Sequence, residues 1–518
     1  MKVLITTSGL GNRLGNITKY TNKSLVRLGK IATLSHIINC YPVDTEFVVT
    51  TGYYQNHVKE YLKLAHNNSN ITFIDVDKFE GPGSSLLYSM TCAKNYLQNE
   101  FIFHACDSVV KNPINFTEGN ICVSSKKEDN SQYRTLTLSN DTILNIEEKG
   151  SLYSDDIHIG IIKIKDYEKF WEIADELLRD YPTDTSLSDC HVINRMIEKN
   201  IIFKNHSITD WYDIGNSKSL NDAKKVFEHD FKILDKDEEN IFLFENFVIK
   251  FFNDKNIVKN RVNRLKHLKN YGPELLDFTN NFYKYKFVDG ELASRNSNSK
   301  LFYDLLTDVQ INFWNKISID NSFYEKTRKF YYDKTKERIS LFHKLRGQTY
   351  ENITINGLQI SSFDELIRRI PERLVCTDTK YYFHGDFILD NLIIKDNKFK
   401  FLDWRQDFCG EIDGGDVYYD LAKMNHSLHF DHDLITNNSF QIEENGKNIN
   451  IELLCKFSSI DKKRQFDKFI KENNYDETKI NILTSIIWLN MSPLHTYPLN
   501  KFLYFLGLYT LQKQINEL

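Results

Sequence analysis

Residues 2–14 read Lys2-Val3-Leu4-Ile5-Thr6-Thr7-Ser8-Gly9-Leu10-Gly11-Asn12-Arg13-Leu14. A short apolar run followed at once by two glycines is typical of a β-strand that turns into a helix. The same alternation continues to about Asn216, with further strands expected at 46–51, 71–76 and 101–104. Strands that alternate with helices predict a mainly parallel α/β sheet covered on both faces, with its site at the carboxyl ends of the strands.

The composition is that of a globular protein with several domains. The 518 residues suffice for roughly two to four domains. The 66 Lys and Arg residues are outnumbered by 71 Asp and Glu residues, so no basic excess is available for a nucleic-acid partner. The eight cysteines form no Cys-x-x-Cys pair, which argues against a zinc ribbon and against a disulfide framework.

Neither a secretion signal nor a membrane segment is expected. The apolar run Val3-Leu4-Ile5 is too short for a signal peptide. The most apolar region, residues 482–511, is interrupted by prolines and polar residues, so it predicts no membrane span. We therefore expect a cytoplasmic protein without a membrane partner, and association into a homo-oligomer stays open.

A charge-dense stretch from Glu228 to Asn240 marks the expected domain boundary. We predict a first domain over residues 1–232 and a second over residues 238–518. The second opens with two apolar runs over 241–252, separated by Glu245-Asn246, and this pattern predicts a β-hairpin. Beyond Leu301 helical patterning prevails, apart from three short alternating runs. They lie at 381–384, 392–395 and 399–402.

The loop that contains Gly9 and Gly11 has two interpretations. The glycines let backbone N–H groups turn toward a phosphate at a helix start, or they form only a tight turn. A Rossmann dinucleotide site would need an acidic residue at the end of the second strand, but residues 48–52 contain no carboxylate. Gly29-Lys30 does not form a Walker loop either, because Ile31 follows it.

Further elements follow this loop in a fixed order. They are Asn22-Lys23-Ser24-Leu25, Gly81-Pro82-Gly83-Ser84-Ser85, Asp107, Glu148-Lys149-Gly150 and Trp211-Tyr212-Asp213-Ile214-Gly215-Asn216. With these elements the first 225 residues or so resemble the sugar-nucleotidyltransferase family, whose signature is Gly-x-Gly-x-Arg, Pro-Lys-x-Leu and Trp-x-Asp-Ile-Gly. The resemblance implies a Rossmann-like, GT-A-like domain on a mainly parallel sheet. A metal-dependent glycosyltransferase would instead want an Asp-x-Asp pair ending at Asp107.

The resemblance also implies a role for each matching residue. Arg13 and Lys23 would hold the phosphates of a nucleoside triphosphate, and Asp107 with Asp213 would bind Mg²⁺. Lys149 would meet the phosphate of the acceptor. The nucleotide would further contact a set of small residues. They are Gly9, Gly11, Gly81, Gly83 and Ser84.

The chemistry fits these residue types, because the reaction joins two anions and needs cations and a hard metal. For each residue alone a solvated surface charge or a turn cap is the alternative. The chain departs from the family at three positions. Asn22 and Ile31 stand where the family has prolines, and Asn216 stands where it has a threonine. These departures leave the substrate more open than the reaction.

The strongest signal in the chain is Tyr381-Tyr382-Phe383-His384-Gly385-Asp386-Phe387-Ile388-Leu389-Asp390-Asn391-Leu392-Ile393-Ile394. Asp386 and Asn391 lie five residues apart on a loop between apolar strands, and Asp403 follows the next strand directly. Three oxygen-bearing side chains at strand ends suit Mg²⁺ and a proton-accepting role.

These residues resemble the choline kinase and aminoglycoside phosphotransferase family, with its His-Gly-Asp-x-x-x-x-Asn and Ile-Asp-Trp motifs. The likeness extends from about Ile241 to the end of the chain. It implies a bilobal, protein-kinase-like fold in which Asp386 is the base and Asn391 with Asp403 holds Mg²⁺. The helix over 416–422 would support the loop.

Two further features have alternative interpretations. Lys250 would pair with the phosphates of ATP, or it would lie on the solvent face of a strand. Its usual glutamate partner is not evident in the next helical stretch, since residues 257–270 contain no acid, and the partner of Lys250 stays unassigned. Aromatic clusters at 330–332 and 497–505 either form a cage for a quaternary ammonium group or belong to the core.

Taken together, the two halves predict consecutive reactions. A hydroxyl metabolite would first be phosphorylated with ATP, and a second nucleoside triphosphate would then convert the phosphate into a nucleoside-diphospho building block for capsule or lipopolysaccharide synthesis. The metabolite is a sugar or an amino alcohol, with the sugar favoured by the Gly81 to Ser85 run. The alternatives are a choline kinase fused to a phosphocholine cytidylyltransferase, an antibiotic phosphotransferase, which predicts an acidic pocket, and a catalytically silent nucleotide-binding protein.

Overall fold

The computed structural model describes residues 1–127, 129–151, 154, 156–227, 237–429, 439–453 and 457–518. Most of the predicted boundary segment, residues 228–236, lies outside the described residues. By its contacts the chain divides into two compact units. The first unit comprises Met1–Lys255 and Leu276–Tyr285, and the second comprises Asn256–Leu275 and Lys286–Leu518. The hairpin predicted to open the second domain therefore groups with the first unit.

The first unit alternates strands and helices. Its strands are β1 (Lys2–Thr6), β2 (Arg27–Leu28), β3 (Ile31–Ala32), β4 (Glu46–Thr51), β5 (Asn70–Asp75), β6 (Phe101–Ala105), β7 (Ser108–Val110), β8 (Asn120–Lys126), β9 (Leu136–Ser139), β10 (Thr142–Ile146), β11 (Asp156–Ile164), β12 (Phe203–Ser207), β13 (Trp211–Asp213), β14 (Glu239–Leu243) and β15 (Phe247–Phe252), with β16 (Leu275–Phe278) and β17 (Phe282–Lys286) further on. Its helices are α1 (Thr33–Asn39), α2 (Gln55–Ala65), α3 (Leu86–Thr91), α4 (Tyr167–Asp180), α5 (Asp189–Glu198) and α6 (Ser217–Val226).

Nine strands form the main sheet in the order β5-β4-β1-β6-β11-β8-β12-β10-β9. Strands β5, β4, β1 and β6 pair in parallel, as do β8 and β12. Strands β11 and β10 run against their neighbours. The prediction of a mixed α/β unit on a mostly parallel sheet is therefore confirmed.

Both faces of this sheet are covered, as the alternation of residues along β1 requires. Val3 and Ile5 pack into a buried cluster with residues of α1 and α2. Leu4, which points to the other face, packs into a second cluster with residues of α3, α4 and α5. A separate four-stranded sheet has the order β14-β15-β17-β16, and its β14–β15 pair is the antiparallel hairpin that the sequence predicts.

The second unit is mainly helical. Its helices are α7 (Lys255–Leu265), α8 (Ser299–Asn312), α9 (Asn321–Arg328), α10 (Lys334–Arg346), α11 (Phe363–Arg369), α12 (Glu372–Val375), α13 (Val417–His429), α14 (Phe457–Glu472), α15 (Glu477–Met491) and α16 (Leu499–Glu517). Its strands are β18 (Glu291–Leu292), β19 (Lys316–Ile319), β20 (Ile353–Ile355), β21 (Leu358–Ile360), β22 (Thr379–Tyr381), β23 (Leu392–Lys395), β24 (Lys398–Phe401), β25 (Phe440–Asn445) and β26 (Asn448–Leu453).

Helices α10, α13, α15 and α16 pack around one large core in this unit. Phe330, Tyr331, Tyr332, Tyr504 and Phe505 are buried inside it. The interpretation of these aromatics as a cage is therefore wrong, and they belong to the core. In the part of the chain that the structure describes, no helix has the length and apolarity needed to cross a bilayer.

Candidate functional site

Two acidic residues of the first unit are brought together by a short β-ladder. Strand β13 pairs antiparallel with β7, so that Asp213 lies opposite Ser108, the residue after Asp107. The N–H of Ile214 also donates to the backbone oxygen of Asp107 at 3.0 Å. Both carboxylates face Gly215. A Cβ atom added there would lie 3.0 Å from Asp213 Oδ1 and 3.3 Å from Asp107 Oδ2. The two acids thus meet as the sequence predicts.

Two predicted cations surround Asp107. Lys23 Nζ lies 2.9 Å from its Oδ2 atom, and Arg13 Nη2 lies 3.9 Å from the same oxygen. Burial alone would raise the pKa of Asp107, but the adjacent Lys23 ammonium outweighs it and the pKa is lowered. Burial likewise opposes the charge of Lys23, yet Asp107 keeps the Lys23 pKa above its usual value. Both groups are therefore charged near neutral pH, and Lys23 contacts the carboxylate directly.

A cavity of about 280 Å³ opens beside these acids. Arg13, Asp107, Lys149 and Asp213 all line it, so four of the predicted site residues share one cavity. The pKa of Lys149 is lowered by burial and by the positive charges of Arg13 and Arg134. An exposed lysine beside two guanidinium groups suits an anionic ligand.

The glycine-rich elements do not line this cavity. Gly11 has φ 72°, in the left-handed region, and directly precedes a short helix, while Gly9 has open space where a Cβ would lie. Gly83 has φ 81°, and a Cβ there would come within 2.6 Å of the Pro182 oxygen. The Ser84 hydroxyl donates to the oxygen of Gly81 at 2.6 Å. These contacts shape two turns, and the predicted nucleotide contacts stay predictions.

Asn22 has a clear structural role at the position where the family has proline. Its side-chain amide donates to the backbone oxygens of Thr7 and Tyr53, both at 2.7 Å. Its Oδ1 accepts from the backbone N–H of Ser24 at 2.9 Å. The side chain is fully buried. Asn22 therefore ties together the loop that presents Lys23.

The cavity residues that sequence reasoning missed include Tyr133, Arg134, His158 and Asp189. The Tyr133 hydroxyl donates to Asp213 Oδ2 at 2.8 Å. His158 Nε2 and Asp189 Oδ2 are 2.9 Å apart, and both side chains are buried. Burial lowers the pKa of His158, but Cys190 and Asp189 outweigh this and raise it to about 10. The imidazole is therefore a cation at neutral pH.

The backbone at Arg134 explains why these cavity residues meet. The His158 N–H donates to the Arg134 oxygen at 2.8 Å, which sets the two residues side by side. The Arg134 guanidinium pairs with Glu148 Oε1 at 3.1 Å, and Glu148 is 72% exposed. Because Arg134 and His158 come from separate segments of the chain, no spacing motif in the sequence could have found them.

In the second unit, the loop that carries Asp386 is fixed by a buried acid. The two oxygens of Asp420, on α13, accept the backbone N–H groups of His384 at 2.6 Å and Gly385 at 2.7 Å. Burial raises the pKa of Asp420 to about 7. Gly385 has φ 87°, and a Cβ there would lie 2.5 Å from that of Arg405. The predicted supporting role of this helix is therefore confirmed.

The structure brings Asp386 and Asn391 together. Asn391 Nδ2 donates to the backbone oxygen of Asp386 at 2.9 Å and to its Oδ2 at 3.2 Å. Lys423 Nζ lies 2.7 Å from Asp386 Oδ1. Burial would raise the pKa of Asp386, but Lys423 outweighs it and holds the pKa well below its usual range. Asp386 is therefore an ionised carboxylate that contacts Asn391 and Lys423.

Asp403 follows β24 at the end where β23 begins. Strands β23 and β24 pair antiparallel, and the Leu402 N–H donates to the Asn391 oxygen at 2.8 Å. This places Asp403 beside the loop of Asn391, in the left-handed conformation at φ 54°. Its Oδ1 lies 3.1 Å from Nη1 of Arg261 on α7. Helix α7 therefore supplies a cation to Asp403.

A second arginine of α7 supports the loop. Arg264 is fully buried and donates from Nη2 to the Phe383 oxygen and from Nη1 to the Arg405 oxygen, both at 2.6 Å. Burial lowers its pKa to about 9. Lys250 lies on β15 in the first unit and is 6% exposed, so the alternative in which it faces solvent is wrong. Its contact with ATP stays a prediction.

Two further basic side chains contact the same aromatic ring in this unit. Lys334 Nζ and the guanidinium of Arg405 both stand over the Phe330 ring, 4.1 Å and 5.1 Å from its centroid. The pKa of Lys334 is lowered to about 6 by burial and by the charges of Arg405, Arg338 and Lys423. Arg405 also helps to lower the pKa of Asp386. At a pKa of about 6 the Lys334 amine is largely uncharged at neutral pH, so Arg405 and Lys423 are the cations that act on Asp386.

Comparison with solved structures gives fold likenesses that cover the N-terminal half of the chain. No protein-family model and no curated protein matches the chain. The chain is similar to the CTP:phosphocholine cytidylyltransferase from Streptococcus pneumoniae, at 17% identity and a TM-score of 0.39, over 44% of this chain and 99% of that one. It is also similar to a glucose-1-phosphate thymidylyltransferase, described as putative, from Bacillus anthracis, at 21% identity and a TM-score of 0.38, over 46% of this chain and 98% of that one.

A third similar structure is the inositol-1-phosphate CTP transferase from T. maritima, at 15% identity and a TM-score of 0.37. That likeness covers 45% of this chain and 98% of the other. Likenesses at these identities and scores do not assign an activity. The function must therefore be argued from the side chains described above.

Proposed function

We propose that the chain is a bifunctional enzyme whose first unit transfers a nucleotidyl group and whose second unit phosphorylates a hydroxyl group with ATP. One observation carries the proposal for the first unit. Asp107 and Asp213, which are distant in sequence, face the same glycine at the wall of a cavity that Arg13 and Lys149 also line. Cations beside paired carboxylates are what a reaction between two phosphate-bearing anions requires.

In the first reaction an oxygen of a phosphate monoester attacks the α-phosphorus of a nucleoside triphosphate. The bond from that phosphorus to the bridging oxygen breaks, and pyrophosphate leaves with the electron pair. Arg13 would neutralise the nucleotide phosphates, and Lys149 would hold the acceptor phosphate. The carboxylates of Asp107 and Asp213 both face Gly215, and carboxylate oxygens are the hard donors that Mg²⁺ prefers. When bound, this ion would offset charge on the triphosphate.

The second unit supports phosphoryl transfer through the contact between Asp386 and Asn391. The ionised Asp386 would accept the proton of the substrate hydroxyl as its oxygen attacks the γ-phosphorus of ATP, and ADP would leave. Because Asn391 uses its Nδ2 group on Asp386, its Oδ1 atom is the donor that suits Mg²⁺. Asp403, at the neighbouring strand end, would be the second oxygen donor, and the ion would neutralise the phosphates of ATP.

The product of the kinase is the phosphate monoester that the nucleotidyltransferase consumes. The two reactions together would give a nucleoside-diphospho building block for surface glycans, with a sugar as the favoured metabolite. The alternative of a phosphocholine pathway needs a site for a quaternary ammonium group. The alternative of an antibiotic phosphotransferase needs an acidic pocket for a polycation, whereas Lys423 and Arg405 both lower the pKa of Asp386.

The test separates the two reactions with one variant in each unit. Asp107→Ala should abolish pyrophosphate release from nucleoside triphosphates and sugar phosphates and spare ATP-dependent phosphorylation. Asp386→Ala should do the reverse. Asp180→Ala and Asp304→Ala remove exposed acids of α4 and α8 and serve as controls. If either site variant eliminates both activities in a folded protein, or if the wild type has neither activity, the proposal is wrong.

A further inference from the structure

We infer that the first unit contains a site for a divalent transition-metal ion of the zinc type, built from His158, Asp189 and Cys190. Its donors differ from those of Asp107 and Asp213, which offer oxygen atoms alone. A metal site of this kind needs only the geometry and chemistry of three side chains, so it stands apart from the reactions proposed above.

Two elements of the first unit bring the three side chains together. His158 lies on β11, where the pairing with β8 shifts register between His158 and Ile162. Such a β-bulge re-aims side chains and is common beside functional sites. Asp189 and Cys190 are the first two residues of α5. The N-terminus of a helix favours negative charge, which suits a carboxylate and a metal-bound thiolate.

The donor atoms are close enough to share one ion. One donor atom from each residue lies within 4.8 Å of the other two. His158 Nε2 is 2.9 Å from Asp189 Oδ2, and Cys190 Sγ is 3.8 Å from the same oxygen. Around a tetrahedral Zn²⁺ the corresponding separations are about 3.3 Å for N and O and about 3.6 Å for S and O. Side-chain shifts of about 1 Å or less would therefore turn the cluster into a set of zinc ligands.

The three side chains are buried in the wall of the cavity. The side chains of His158 and Asp189 are each 5% exposed, and Cys190 is a buried free cysteine. His158 Nδ1 is also buried, and it has no hydrogen-bond partner among the described residues. Because no second hydrogen bond holds the imidazole in its present orientation, the ring can turn toward an ion shared with Asp189 and Cys190.

The charges of the cluster suit a divalent ion. Burial opposes a charge on His158, but Cys190 and Asp189 outweigh it and raise the His158 pKa to about 10. A divalent ion would replace that proton and the proton of the Cys190 thiol, and both protons would leave to solvent. An imidazolium, a carboxylate and a thiol are neutral together, and so are an imidazole, a carboxylate, a thiolate and a divalent cation. The exchange therefore leaves the net charge of this buried cluster unchanged.

The donor set selects the kind of ion. Mg²⁺ prefers oxygen ligands, whereas an imidazole nitrogen and a thiolate sulfur favour Zn²⁺ or a similar transition-metal ion. Three protein ligands leave the fourth position of a tetrahedron open, as in catalytic rather than structural zinc sites. All three residues line the cavity, so that position would face a ligand held there. An anionic oxygen of such a ligand would complete the coordination.

The experiment measures Zn²⁺ binding to the full chain. The reduced protein is stripped with a chelator and dialysed against Zn²⁺ with excess Mg²⁺, which competes for sites made of oxygen alone. Outer partners of metal ligands are already worth about 10- to 100-fold in metal affinity, so Cys190→Ser should weaken Zn²⁺ binding by at least about 100-fold. Cys92→Ser, at the end of α3, and His206→Gln, on β12, are the matched controls and should bind Zn²⁺ like the wild type.

Two further measurements identify the ligands. Co²⁺ in place of Zn²⁺ should give the near-ultraviolet charge-transfer absorption of a thiolate ligand in the wild type and in Cys92→Ser, and not in Cys190→Ser. In the wild type, Zn²⁺ should protect Cys190 from alkylation by iodoacetamide, as mapped by peptide mass spectrometry. This last measurement needs no variant, and Asp189→Asn and Cys190→Ala are second versions in case Cys190→Ser does not fold.

Three results would overturn the metal site. They are a Zn²⁺ affinity that is equal in the wild type and Cys190→Ser, a Co²⁺ spectrum without the thiolate absorption, and alkylation of Cys190 that Zn²⁺ does not slow. None of these results bears on the bifunctional enzyme, whose two activities are tested through Asp107 and Asp386.

Discussion

Replacing Lys423 with methionine should move the pH dependence of phosphorylation. In the wild type, Lys423 Nζ lies 2.7 Å from Asp386 Oδ1 and holds the pKa of that carboxyl well below its ordinary value. Without the ammonium, burial is left as the main influence and raises the pKa. An opposite charge within a few ångströms lowers a carboxyl pKa by about 1–3 units. We therefore expect the acid limb of the kcat/KM profile to move up by about 1–3 pH units in Lys423→Met.

The assay is ATP-dependent phosphorylation from about pH 3 to about pH 8.5, because the acid limb starts well below pH 3.8 in the wild type and kcat/KM reports groups of the free enzyme. Lys423→Arg retains the charge and is the control, and pyrophosphate release by the same protein shows that the first unit is intact. A Lys423→Met profile that superimposes on that of the wild type would refute the reasoning. Lys423 would then not be the group that keeps Asp386 ionised.

The same pair makes a prediction about stability. The two side chains are 15% and 36% exposed, so solvent weakens the pair, and its loss should cost about 1 kcal/mol rather than the 3–5 kcal/mol of a fully buried pair. Because the folded-state pKa of Asp386 is lowered, its contribution is present above the ordinary pKa of 3.8 and is lost as the pH falls through the folded value. The difference between wild type and Lys423→Met should therefore shrink in acid.

Two further substitutions test the geometry of each unit. Gly215→Ala places a Cβ 3.0 Å from Asp213 Oδ1, which forces a shift of a few tenths of an ångström. The rate of nucleotidyl transfer should therefore fall about 10-fold with little change in the free energy of unfolding. Unchanged kinetics in the Gly215→Ala variant would contradict this expectation. Arg264→Met leaves the buried oxygens of Phe383 and Arg405 without their donors and should cost about 2–5 kcal/mol, measured by urea unfolding with phosphorylation activity as the probe. A loss below about 1 kcal/mol would show that water replaces the guanidinium.

The sequence predicts the fold of the first unit because strand and helix periods alternate there without interruption. It also predicts that Asp107 and Asp213 meet, since both belong to spaced motifs. Arg134 and His158 could not be found in this way. They meet only because the backbone of one accepts a hydrogen bond from the backbone of the other, and nothing in their spacing indicates that pairing.

The second unit shows a different limit. Asp386, Asn391 and Asp403 are recognised from local spacing, but Lys423 is not part of that motif. A signal for it does exist. Lys423 follows Asp420 by three residues on α13, so the two share a face of the helix. Because Asp420 accepts hydrogen bonds from the loop that carries Asp386, Lys423, one turn further along α13, is a candidate neighbour of Asp386.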